Sequence, residues 1–129
     1  MAAPITGLYA SLCALVVLAL AVRVIRLRWS TRTGIGDGGD RRLARAVRIH
    51  GNAIEYVPLA LILMLVAELS GARAAWLHGC GIVLVAARLA HALGLARTAG
   101  ASVGRSLGVV GTFAVILALA WVDLAAFLR

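Results

Sequence analysis

Within one short segment the chain places Arg45, Arg48, His50, Asn52, Glu55, Tyr56 and Pro58. On a helix turning about 100° per residue, Arg48, Asn52 and Glu55 fall within about 60° of one another, with Arg45 and Tyr56 flanking the same face. Such a face offers carboxylate clamping by guanidinium groups, amide pairing by Asn52, ammonium capture by Glu55 and a hydroxyl from Tyr56. A small peptide or amino-acid-like ligand requires those groups. The alternative is a structural polar network that ties helices together, with Asn52 bridging Arg48 and Glu55. Pro58 lacks a backbone donor, which predicts a kink just past the cluster and room for a pocket there.

A second polar pair, Arg88 and His91, lies one helical turn apart in an apolar stretch. A buried guanidinium needs a partner or water, and Glu55 is the candidate, in competition with Arg48. His91 either binds a ligand or hydrogen-bonds a neighbouring helix. His50 points away from the Arg48–Glu55 face, and His78 has no assigned role. Glu68, Arg73 and Asp123 fall near the opposite boundary, where a solvated or paired role suffices.

The elements that position these residues are transmembrane helices. The chain has 129 residues, 63% of them hydrophobic, with a mean hydropathy of +1.00. A soluble domain of this size needs far more polar surface. A span takes about 20 mostly apolar residues, and four stretches qualify, at about 4–27, 41–69, 74–95 and 103–127. The first is longer than a signal-peptide core and follows no charged segment, so it is expected to be retained. Residues 30–40 carry four glycines and form a flexible loop. Residues 70–71 and 98–102 are short breaks, with Gly100 as a helix stop. Short connections predict one all-α domain over residues 1–129, an up-down-up-down four-helix bundle.

All 13 basic residues are arginine, and the net charge is +8. The arginines mostly flank apolar runs, so membrane orientation accounts for them and nucleic acid is not an expected partner. Most of them flank the first and third connections, which are therefore expected to face the cytoplasm, with both termini on the other side. Trp29, Trp76 and Trp121 fall where an aromatic belt is expected. Gly104, Gly108 and Gly111 make a stripe that permits close helix approach, either within the chain or between copies. Cys13 and Cys80 fit no metal-ligand spacing and read as small buried hydrophobes.

The run from Arg45 to Leu59, RAVRIHGNAIEYVPL, closely resembles the signature of the MAPEG family, the membrane-associated proteins in eicosanoid and glutathione metabolism. The segment GDGGD at 36–40 and the segment ARLAHALG at 87–94 are similar to its small bacterial branch. The resemblance covers nearly the whole chain. It implies a homotrimer with active sites between subunits near the cytoplasmic side, in a bacterial inner membrane. It implies glutathione as co-substrate, held by Arg48, Asn52, Glu55 and Tyr56, with Glu55 taking the amino group and arginines the carboxylates. His50 matches a polar family position that also reaches the ligand. Arg105, or else Arg97, matches the arginine that stabilises the thiolate, and Arg28 reaches toward a neighbour's site. Eicosanoid-forming members carry two helix-three tyrosines; His91 and Leu95 stand there in this chain.

If the protein is an enzyme, the expected chemistry is a glutathione thiolate attacking a lipophilic electrophile by addition or substitution, or acting as a peroxidase. The competing expectation is a non-catalytic trimeric membrane protein, or a binder of another small polar ligand. A small multidrug antiporter matches in length and helix number, but such transporters use a first-helix glutamate, and none stands here.

Overall fold

A computed structural model describes residues 2–97 and 103–128. The predicted break at 98–102 with its Gly100, the terminal Arg129, and the side chains of Leu95 and Arg97 lie outside the described residues. Four helices are present: α1 (Pro4–Thr31), α2 (Arg41–Leu69), α3 (Ala74–Arg97) and α4 (Val103–Phe127). Each is long and apolar enough to cross a bilayer, and the chain is a multi-pass membrane protein. Two helices outrun their expected ends, because apolarity stops before the helix does. The last turn of α1 is polar, and it closes only where Arg32 enters the left-handed region (φ 51°) and returns its N–H to the Arg28 and Trp29 carbonyls. Helix α2 is continuous through Pro58.

Helix α1 packs on α2 and α3, and α4 packs on α3 and α2. Helices α2 and α3 also touch, whereas α1 and α4 do not meet among the described residues. The section is therefore a rhombus, α1–α2–α4–α3 around its edge, with α2 and α3 across the short diagonal. Lipid tails are as apolar as these helices, so association rests on close packing and interhelical hydrogen bonds.

The glycine stripe supplies the closest approach. A methyl group added at Gly108 would overlap His91 Cβ and the Ala87 carbonyl of α3, and one at Gly104 would press on the Ala90 carbonyl at 3.1 Å. The stripe thus serves contact within the protomer, the first of the two roles open at the sequence level. Below it Met64, Leu77, Leu84, Val115 and Leu119 fill the core.

Polar clasps close the helix ends. Asp40 caps α2 by accepting from the Arg42 and Leu43 amides. No side chain at Ala3 caps α1; instead the Glu68 carboxylate, from the far end of α2, accepts from the Ile5 amide at 2.9 Å and the Thr6 amide at 2.6 Å. The Tyr9 hydroxyl donates to the His78 carbonyl at 3.2 Å and lies 3.0 Å from His78 Nδ1, so His78 ties α3 to α1. Trp29, Trp76 and Trp121 are all exposed near helix ends, as an interfacial belt requires.

Candidate functional site

Helix α2 buries Leu43, Ala46, Ile49, Ala53, Val57 and Ala60 along one arc. Asn52 sits at the edge of that arc and is 9% exposed. A further 40–60° or so around the helix carries Arg48 and Glu55 out of the protomer interior, and both are exposed. The expected Arg48–Glu55 and Glu55–Arg88 pairs are therefore corrected: neither forms among the described residues, whereas Arg42 pairs with Asp40 at 3.0 Å. The face predicted from helical angles is real, but only its edge is buried in one protomer.

Arg88 lies about 13 Å along α3 from Arg97, at the helical rise per residue, and is 3% exposed. Its Nη1 donates to Asn52 Oδ1 at 2.8 Å, and its Nη2 donates to the Gly108 carbonyl at 2.9 Å. That carbonyl also accepts from Thr112 Oγ1 at 2.8 Å. Glycine at 108 brings the α4 backbone close enough to serve as acceptor. The guanidinium thus joins α2, α3 and α4 through neutral oxygens, and its charge has no carboxylate beside it.

Immediately outside this clamp lies a cleft of about 460 Å³ lined by Ala44, Arg45, Arg48, Asn52, His91, Arg105 and Val109. Three guanidinium-bearing side chains and an amide line it, and no acidic residue does. Because Arg88 occupies the Asn52 oxygen, the Asn52 amide nitrogen is left as the donor. His91 is 5% exposed, its ring lies beside the Arg105 backbone, and among the described residues neither ring nitrogen meets the geometry of a hydrogen bond. A buried unpartnered polar atom on a cleft wall is what a ligand would satisfy.

Glu55 belongs to an adjoining cleft of about 430 Å³, with Gly36, Asp37, Val47 and Gly51; Ala44 and Arg48 line both. Tyr56 stacks edge-on against Phe113 of α4, with ring centroids 5.2 Å apart. His50 is half-buried and lines neither cleft. Arg28 Nη1 donates to the carbonyls of Thr33, Gly34 and Gly36 at 3.0–3.4 Å, bracing the first loop of its own chain. Arg97 belongs to α3, but its side chain lies outside the described residues.

Of the sequence-derived candidates, the structure thus gathers Arg48, Asn52, His91 and Arg105 into one cleft. Sequence reasoning missed two features. The sequence offers a carboxylate, Glu55, as the candidate partner of Arg88, because only side-chain charge is visible in a sequence; its acceptors are an amide and a backbone carbonyl. Ala44 and Val109 carry no chemical signal, and only the packing of α2 against α4 places them on the wall.

The model of the MAPEG family matches residues 6–125. The inner membrane protein YecN of Escherichia coli K12 is 49% identical over 90 residues, which span 70% of this chain and 69% of that protein. The protein of the same name from Escherichia coli O6:H1 (strain CFT073) matches to the same extent.

Proposed function

The chain belongs to the MAPEG family, and on that premise we propose that its arginine-lined cleft binds glutathione near the cytoplasmic face of an inner membrane and activates the thiol. The carrying observation is the cleft itself: Arg45, Arg48 and Arg105 on its wall, Arg88 behind Asn52, and no acid among its lining residues. A concave site with that charge favours a ligand bearing carboxylates, and guanidinium forks match carboxylate geometry. The buried His91 ring on the wall supplies a further contact. In this reading a second copy of the chain covers the exposed Arg48–Glu55 flank, the copies form a homotrimer, and Glu55 takes the ligand's ammonium group.

The chemistry is thiol activation. A free thiol has a pKa of about 8.5, and adjacent guanidinium charge lowers it. Arg105, with Arg97 as the second candidate, stabilises the thiolate. The thiol proton leaves to solvent, the sulfur lone pair forms a carbon–sulfur bond, and the electrophile's leaving group departs with its electrons. A lipid-soluble chloronitrobenzene would lose chloride in this way.

A second reading is favoured by one observation: Glu55 does not line the arginine cleft. Without Glu55 the cleft is a general carboxylate site with no group for an ammonium. Calorimetry on detergent-purified protein separates the two. Glutathione binding that weakens in both Arg48→Ala and Glu55→Gln supports the peptide site. Binding that weakens only in Arg48→Ala, and equally for a dicarboxylate lacking an amine, supports the second. No heat with glutathione, and turnover of a chloronitrobenzene no higher in the wild type than in Arg105→Ala, rejects the transferase reading.

A further inference from the structure

Outside the thiol cleft, α1 carries Ala19, Val22, Arg23, Arg26 and Leu27 at spacings of three, one, three and one, a single stripe along its last turns. The stripe faces the start of α2, and together they form a groove of about 430 Å³ lined by Ala19, Val22, Arg23, Arg26, Leu27, Arg42 and Arg45. Four guanidinium groups from two helices converge on this groove, and no acid lines it. Arg42 alone is ion-paired, to Asp40. Arg23 and Arg26 are exposed and have no ion pair or hydrogen bond within the described residues. Arginines placed only to orient a helix need not converge, since the positive-inside bias counts charges without regard to direction. Convergence of like charge is costly and calls for a counter-anion. The rest of the lining, Ala19, Val22 and Leu27, is aliphatic and interleaves with Arg23 and Arg26 on α1, so an anion that carries an apolar body fits the groove.

We propose that this groove binds an anionic phospholipid, its phosphate held by Arg23 and Arg26 and one acyl chain lying along Ala19, Val22 and Leu27. The site is independent of the thiol reading. Only Arg45 lines both cavities, so Arg23 and Arg26 test the groove without touching the cleft. Juxtamembrane arginines strengthen binding to anionic lipid by about fivefold each, so removing two costs about 25-fold.

The test is native mass spectrometry of the detergent-purified full chain, offered equal amounts of dioleoylphosphatidylglycerol and dioleoylphosphatidylcholine. Wild type should retain phosphatidylglycerol in preference. The Arg23→Gln/Arg26→Gln variant should lose that preference, the Arg23→Lys/Arg26→Lys variant should keep most of it, and Arg73→Gln at the opposite end should not change it. The lysine pair preserves charge and insertion, so it reports on the groove even if the glutamine pair folds poorly. Equal retention of the two lipids by wild type overturns the proposal. So does a preference unaltered in the glutamine pair, displacement of the lipid by inorganic phosphate alone, or a lipid-free oligomer that dissociates in the glutamine pair, which would make a second copy the occupant.

Discussion

Arg88 and Asn52, 36 residues apart in sequence, meet at 2.8 Å in the interior of the bundle. The arginine fixes the amide's rotamer: its N–H can bond only the Asn52 oxygen, which turns the amide nitrogen away from Arg88. One hydrogen bond therefore links the stability of the bundle to the chemistry of the cleft wall.

Replacing Arg88 with methionine strands Asn52 Oδ1 and removes one of two side-chain donors from the Gly108 carbonyl. Buried partners left unsatisfied cost about 1–3 kcal/mol each in soluble proteins, and interhelical bonds in bilayers are worth somewhat less. The expected outcome is a loss of about 1–3 kcal/mol, read as a lower unfolding midpoint in detergent. Glutathione affinity should fall as well, although Arg88 does not line the cleft. Unchanged affinity in a folded Arg88→Met protein would show that the amide needs no such orientation.

Gly108→Ala should be among the most damaging single methyl additions. The new carbon would overlap His91 and the α3 backbone, where neither a rotamer change nor a small shift relieves it; overpacking costs about 1–3 kcal/mol. Gly79→Ala, also within a helix but meeting nothing within 4 Å, should be neutral or stabilising by up to about 1 kcal/mol through helix propensity. Thermal melts of the two variants side by side decide the ranking.

Glu55→Gln should leave the stability of the protomer within about 0.5 kcal/mol of wild type, because the carboxylate is exposed and has no ion-pair partner among the described residues. Under the proposed function its effect is on ligand binding and on contact between copies. A large fall in the melting midpoint of dispersed protomers would contradict the geometry described above.

The Asp40 carboxyl is held down at about 2, first by the hydrogen bond from the Arg42 side chain and then by the Leu43 and Arg42 amides. Because its folded value lies below the ordinary carboxylate range, its contribution is present above the unfolded value and is lost as pH falls through about 2. The cap on α2 should persist through all mildly acidic conditions. Asp40→Ala should fray the first turn of α2 at neutral pH, seen as faster amide exchange at Arg42 and Leu43, whereas Asp40→Asn should largely preserve it.

The sequence by itself determined the four spans, the multi-pass membrane class and the family. Each depends on runs of apolar residues or on a contiguous motif, and a bilayer reads apolarity locally, residue by residue. It also nominated Arg48, Asn52, His91 and Arg105, because helical spacing and the resemblance both act along the chain. Tertiary structure alone decided which of these share a cavity. The buried arc of α2 is set by the helices packed against it, and about 60° of rotation separates Asn52, inside, from Glu55, outside. Tertiary structure alone also gave Arg88 its acceptors, since a backbone carbonyl is offered by every residue and becomes a partner only where Gly108 lets two helices close. The caps divide in the same way: Asp40 stands next to the helix it caps, whereas Glu68 reaches α1 only because antiparallel packing brings the end of α2 beside the start of α1.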